Sequence, residues 1–386
     1  MPVATRNGFC ADFSAVQETM RLAVVPGYAT KKDTHWKVWV AYCSGLGFDP
    51  YLRGVADPIP FLQVFGHRYH NGSIAPRGKP VQSQAVSDAI RSVGQRFAAL
   101  GTDDPRLNAV GKLQFRLQRQ IRGYSKLDAP KHRVKPLPIC VVLSILMLTF
   151  SAASPSSLGF TCANLICLGF FFCLRPGEYT GTTSDDQAFA LEDVGLFLGQ
   201  RRLSLQDAQD FEILSATKVT LTFTKQKNAN NGQIIAHARS GYPSCCPVVV
   251  AIRQIMYHRS QCRQFHRAYD GTVKLASFYT TTGRNIPLRA ASVTKVIRLH
   301  AALCHHLTGV PPADYSARSL RAGGAMSLLS GGCDSNVIKL LGRWRSDAMM
   351  DYLHEQSLPV FRKCSKLMLN NGEHSFLPEE TVPIAN

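Results

Sequence analysis

A chain of 386 residues, 45% hydrophobic and 18% charged, has the composition of a globular protein rather than a disordered one and is long enough for two domains. Forty-four Lys and Arg against 26 Asp and Glu leave a formal charge of +18, which points to a polyanionic partner, nucleic acid ahead of a membrane surface. The 12 cysteines are scattered, several inside apolar runs (Cys162, Cys167, Cys173), and no C-x-x-C pair occurs; this argues for buried thiols and against a disulfide framework or a zinc ribbon.

Residues 1–30 carry little pattern and read as a loosely held arm; Met1–Pro26 lacks the apolar core of a signal peptide. From Thr34 the run HWKVWVAYCSGLG predicts a helix, with Trp36, Trp39, Val40 and Cys43 at helical spacing. Further helices are expected at Asp57–Tyr69 and at Gln82–Leu100, the second burying Ala85, Ile90, Val93, Phe97 and Leu100. A fourth, near Asn108–Tyr124, sets Leu113, Leu117, Ile121 and Tyr124 on an apolar stripe and Lys112, Arg116, Arg119 and Arg122 largely off it. That basic face is either merely solvated or laid along a phosphate backbone. The first domain, 31–124, is thus expected to be all-helical. SKLDAPKHRVKPLP, residues 125–138, has no periodicity and reads as an extended linker.

The second domain, 139–370, opens with the apolar runs Ile139–Ala153 and Leu158–Leu174. Both fall short of a membrane span of about 20 residues, and the second contains Thr161 and Asn164, so they read as buried core helices. Arg175 and Glu178 then emerge from this apolar stretch and must be solvated, paired or used. Lys218–Thr224 and Gln233–His237 alternate as strands, joined by a turn-rich tip that carries Lys225 and Lys227. VVVAIRQIMYHRSQCRQF, after Pro247, and Ala290–Leu307 predict helices. Within the former, His258, Cys262 and His266 are spaced to face one way as metal ligands, but no fourth ligand is near, and no metal is assigned. In SARSLRAGGAMSLLSGGCDSNVIKLLGRWRSDAMMDY, Ser316 to Tyr352, Arg318 and Arg321 stand three apart at a helix start. Gly331-Gly332 stops that helix, Asp334-Ser335 caps a second, and Gly342-Arg343-Trp344 turns toward a third that holds Tyr352. A last helix is expected at Leu358–Leu369, before a loose tail, 371–386.

Taken singly, Tyr352 reads as a half-buried helix tyrosine, Trp344 as core, and Arg175 as a charge that complements a helix dipole. Their order is more specific: Arg175, a hairpin lysine, Arg321, Trp344, Tyr352. That order resembles the tyrosine recombinase (phage integrase-like) family of DNA recombinases. LRPGEY matches the first box, with Glu178 as the acid three residues after the arginine; RSLRAGGA matches the second, GRW the third, and the Tyr of MMDYLH the nucleophile. The wording is closest to recombinases of DIRS- and Crypton-type eukaryotic mobile elements, and the resemblance covers roughly residues 30–365. It implies a mainly α fold with a small antiparallel β-sheet: an all-helical core-binding (SAM-like) domain and an α+β catalytic domain. It also implies a homo-tetramer on two double-stranded DNA sites, no membrane, no cofactor, and a nuclear location for a eukaryotic element, otherwise a cytoplasmic one.

The chemistry so implied is metal-independent. Breaking a phosphodiester without a metal needs fixed cations around the transition state, and Arg175 and Arg321 each supply a bidentate fork. Tyr352 would attack to give a 3′-phosphotyrosyl link and a free 5′-hydroxyl. A hairpin lysine would protonate the leaving oxygen, Lys227 being preferred to Lys225. Trp344 would pack or donate near the scissile phosphate, and Glu178 would orient Arg175. The family's second box begins with His where this chain has Arg318, and arginine is no general base at neutral pH. Either Arg318 helps electrostatically, His305 or His306 takes the role, or catalysis is slow. Two other functions therefore stand beside site-specific recombination: a recombinase-derived DNA-binding protein that does not cleave, and a type IB topoisomerase-like relaxing activity.

Overall fold

The computed structural model describes residues 3–22, 26–129, 135–181, 188–224 and 232–344. The chain divides into two compact units, 1–132 and 133–386. The described residues are mainly helical, with one small antiparallel sheet and a two-stranded ribbon.

In the first unit, α1 (Val3–Leu22) is helical where an arm was expected, and its described side chains, Phe9 and Phe13 among them, lie exposed. Helices α2 (Pro26–Gly45), α3 (Ile59–His70), α4 (Ser83–Ala99) and α5 (Phe115–Leu127) enclose a core of Trp39, Phe65, Ile90, Val93 and Leu117. Trp39 meets Phe65 edge-on at 5.1 Å and donates its indole N–H to the Pro50 carbonyl at 2.8 Å, so its one polar atom is satisfied in the core. Of the residues expected on the buried side of α4, Leu100 is 50% exposed, because the helix stops one residue before it.

α5 begins seven residues later than its apolar spacing suggested. The Asn108 side chain accepts from the backbone N–H groups of Val110 and Lys112, Gly111 takes a positive φ of 72°, and Leu107 bridges Leu113. This side-chain turn competes with helix formation and holds residues 108–113 out of it. Lys112 therefore lies before the helix and not on its basic face.

The second unit is built on α6 (Ile139–Ser151) and α7 (Ser157–Phe171). Every residue of α7 from Thr161 to Phe170 is buried, and the Asn164 amide nitrogen donates to Gln254 Oε1 at 3.1 Å within the core. No helix among the described residues is long and apolar enough to cross a membrane. After the short α8 (Pro176–Tyr179) come β1 (Val194–Leu198), β2 (Arg201–Arg202), α9 (Asp210–Leu214), β3 (Lys218–Phe223) and β4 (Gln233–Ala238). The sheet order is β2-β1-β3-β4, with Val194 opposite Leu221 and Val219 opposite His237. Val219, Leu221 and Phe223 point into the core at period two.

α10 (Pro247–Gln264), the β5–β6 ribbon (Ser277–Tyr279, Asn285–Pro287), α11 (Ala290–Leu303) and α12 (His305–Thr308) complete the body. The run expected as one helix over 290–307 is broken at Cys304. α10 ends before His266, which adopts a φ of 50°, so the three spaced metal-ligand types do not share a helix face. His258 is fully buried and lies within 3.2 Å of the Gln254 amide nitrogen and 3.4 Å of the Tyr279 hydroxyl.

α13 (Ser319–Ser330) and α14 (Ser335–Gly342) close the described chain. The two glycines of RAGGA are sites of backbone contact. A Cβ on Gly323 would strike the Leu137 carbonyl, and one on Gly324 the Phe170 carbonyl. The close approach lets the Leu137 N–H donate to the Ser319 carbonyl at 3.0 Å, so the C-terminal end of the expected linker is docked on α13, with Leu137 buried.

Candidate active site

The three arginine-bearing boxes, far apart in sequence, meet around the turn that follows α7. Phe172 and Cys173 leave the helix, Cys173 in the left-handed region (φ 48°), and their carbonyls point at guanidinium groups. Arg175 then starts α8. Its backbone N–H donates to Glu178 Oε2 at 2.8 Å and its Nη1 to Glu178 Oε1 at 2.9 Å. Glu178 is thus the acid that reaches back to its own helix start. It is 4% exposed, while the Arg175 side chain retains 28% exposure.

Arg321, in the first turn of α13, is 2% exposed. It donates from Nη1 to the Cys173 carbonyl at 2.8 Å and from Nη2 to the Gly342 carbonyl at 2.5 Å. The Trp344 ring lies 4.0 Å from its guanidinium carbon, a cation–π contact. Gly342 permits this: a Cβ there would collide with the Trp344 ring. Burial lowers the Arg321 pKa to about 10, and the adjacent Arg175 and Arg343 charges push it the same way, while Glu178 opposes them. It is still a cation at neutral pH.

The residue that spacing did not single out is Arg343. It caps α14 in the left-handed conformation (φ 58°) and is 4% exposed. Its Nη1 donates to the carbonyls of Phe172 (3.0 Å) and Leu341 (2.9 Å), and its Nη2 to the Cys173 carbonyl (3.2 Å) and Glu178 Oε2 (3.0 Å). The Phe223 ring, at the end of β3, packs 3.9 Å from its guanidinium. Burial lowers its pKa and Glu178 holds it up. The only sequence signal was the arginine of GRW itself, which the glycine and tryptophan on either side overshadowed. The Cys173 thiol at the centre is pushed up to about 11, burial outweighing the two arginines, so it stays protonated.

Arg318 does not share the environment of Arg321. It is exposed at the start of α13, where its backbone N–H donates to Ser316 Oγ at 3.3 Å. His305 and His306 lie exposed on α12. Lys225, Lys227 and Tyr352 lie outside the described residues, as does the expected helix at 358–369. In the first unit, Arg119 and Arg122 are exposed on α5, whereas Arg116 grips Asp57 through two bonds of 2.8 and 2.9 Å. That pairing holds the Asp57 carboxyl below its usual range.

The described residues thus bring together Arg175, Glu178, Arg321 and Trp344, add Arg343, and place the end of β3 beside them. Three cations and one carboxylate in a largely buried cluster leave an excess positive charge, partly exposed only at Arg175. Such an arrangement suits an anion with several oxygens.

No family model matches the chain, and neither does any curated protein sequence. Among solved structures it is similar to the integrase of transposon Tn1549 in complex with circular intermediate DNA, at 12% identity and a TM-score of 0.47, covering 92% of this chain and 97% of that one. It is similar to XerA recombinase at 13% identity and a TM-score of 0.36, covering 89% and 100%. A third similarity is to XerH site-specific recombinase bound to difH substrate, at 10% identity and a TM-score of 0.38, covering 79% and 77%.

Proposed function

We propose that this protein cuts and rejoins DNA at specific sites as a metal-independent tyrosine recombinase, from a mobile element of the DIRS or Crypton kind. The observation that carries the proposal is the convergence of Arg175 and Arg321 on one carboxylate-anchored cluster, although 146 positions separate their boxes (321 − 175). In the proposed reaction Arg175 and Arg321 bind the non-bridging oxygens of the scissile phosphate and stabilise the charge that builds in the transition state. The Tyr352 hydroxyl attacks phosphorus, its proton passing to solvent water as the O–P bond forms. The P–O5′ bond breaks, and Lys227, four residues beyond Phe223, supplies the proton that makes the 5′-hydroxyl. Reversal by a second 5′-hydroxyl rejoins the strand.

Arg321 is closed over by the Trp344 ring, so phosphate engagement requires that ring to swing off the guanidinium while the backbone carbonyls of Cys173 and Gly342 keep hold of it. Exposed Arg318 supplies positive charge near the helix start and does not act as a base. Arg119 and Arg122 on α5, with Lys112 before it, contact backbone phosphates, whereas Arg116 must first be freed from Asp57. The working assembly is a homo-tetramer on two duplexes, in the nucleus of a eukaryotic host.

A second reading, DNA binding without cleavage, is favoured by the burial of Arg321 and by arginine where the family carries His. Incubation with nicked duplex DNA bearing 5′-bridging phosphorothiolates, drawn from a random-site library, separates the two. The proposal expects a covalent protein–DNA adduct that Tyr352→Phe abolishes. Binding with no adduct on any substrate supports the second reading.

A further inference from the structure

We infer that Arg343 is a positioning residue for the proposed strand-transfer site, an inference that rests on the reading above. Arg343 is joined to groups that hold both Arg175 and Arg321. Its Nη2 takes Glu178 Oε2, while Oε1 of the same carboxylate takes Arg175 Nη1. It shares the Cys173 carbonyl with Arg321. The carbonyl of the peptide bond that enters Arg343, that of Gly342, is the second acceptor for Arg321. A displacement of the Arg343 side chain is therefore felt by Glu178 and Arg175 on one side and by Cys173 and Arg321 on the other.

The chemistry of the contacts explains why an arginine is needed here. Four acceptors, three carbonyls and a carboxylate oxygen, surround one planar group that presses on the Phe223 ring. Guanidinium offers five donors spread over a rigid fork, whereas lysine has three on one nitrogen and cannot span these acceptors. Arg343 carries four hydrogen bonds to protein acceptors on Nη1 and Nη2, so its fork is committed to the protein and not to a phosphate. It acts through Arg175 and Arg321, and it ties them to the end of β3, the strand that leads into Lys225 and Lys227.

The full-length protein carrying Arg343→Lys tests this. Duplex binding should stay within about threefold of wild type. The single-turnover rate of adduct formation on phosphorothiolate DNA should fall about 100-fold or more, the cost of roughly an ångström of misplacement. In the DNA-free protein, the side-chain Nε–H NMR signal of Arg175, assigned by its loss in Arg175→Lys, should shift. Should Arg343→Lys not fold, Phe223→Leu removes the ring that presses on the Arg343 guanidinium while leaving Glu178 and its bonds to Arg175 in place, and must produce the same two effects. A wild-type rate with an unshifted Arg175 signal overturns the inference. So does a rate loss matched by an equal loss of DNA binding, which marks a merely structural role. If the wild-type protein itself forms no adduct, the functional reading fails, and the NMR shift alone decides whether Arg343 positions Arg175.

Discussion

Glu178→Gln removes the one carboxylate in the arginine cluster while keeping its shape. Glu178 accepts three hydrogen bonds, two on Oε2 (from the Arg175 backbone and Arg343) and one on Oε1 (from Arg175 Nη1). A glutamine keeps the Oε2 pair only by turning its NH₂ toward Arg175, where donor then faces donor. Arg175, with 28% of its side chain exposed, can swing into water at little cost. Arg343, whose side chain is fully buried, cannot, and it loses its only described anionic partner. Breaking a buried ion pair from one side costs about 3–5 kcal/mol. For a unit of this size that is about 2–4 °C of melting temperature per kcal/mol, or about 6–20 °C in all. Differential scanning calorimetry should show this loss in the transition of the second unit, with that of the first unmoved. A fall below about 2 °C would refute the claim that the carboxylate holds the cluster together.

Other perturbations probe separate parts of the molecule. Gly342→Ala puts a methyl group where the Trp344 ring lies; the ring must leave Arg321, at a cost of about 1–3 kcal/mol, and Trp344 emission should shift to the red in a Trp36→Phe/Trp39→Phe background. Burial holds the His258 pKa down at about 4, against about 6.5 when unfolded, so the unfolded chain binds the extra proton. The stability this contributes is complete above pH 6.5 and is lost as pH falls from 6.5 toward 4, by up to about 3 kcal/mol. Titrating the melting temperature of His258→Gln beside wild type should show a shallower fall in that window. Arg119→Glu with Arg122→Glu should weaken binding alike across sequences and lower the slope of log affinity against log salt by about 1 for each phosphate no longer neutralised. An unchanged slope would remove α5 from the DNA interface.

Elements with strongly patterned runs were legible before the structure: helical spacing marks α4 and α2 from Thr34 onward, an unbroken apolar run marks α7, and alternation marks β3 and β4. The late start of α5 was not, because the Asn108 side chain redirects the backbone through a turn that apolar spacing does not encode. Of the candidate site residues, Arg175, Glu178, Arg321 and Trp344 were picked out by their order, and the described structure brings these four together. Arg318 stands three positions before Arg321, yet it sits exposed where the helix begins, and the arginine that shares the Cys173 carbonyl with Arg321 is Arg343. A left-handed helix cap turns Arg343 inward, and the acceptors that hold it come from Phe172, Cys173 and Glu178, about 170 positions earlier. Such non-local pairing leaves no periodic trace in sequence.

The central claim, that this arginine cluster serves a covalent step at Tyr352, is tested most directly by mapping the trapped adduct. Wild-type protein is reacted with phosphorothiolate duplex, digested, and read by tandem mass spectrometry. The expected product is a nucleotide joined through its 3′-phosphate to Tyr352, with Arg175→Ala and Arg321→Ala each losing the adduct while retaining most of their duplex affinity. A 5′-linkage, attachment at another residue, or full adduct yield without either arginine would contradict the claim.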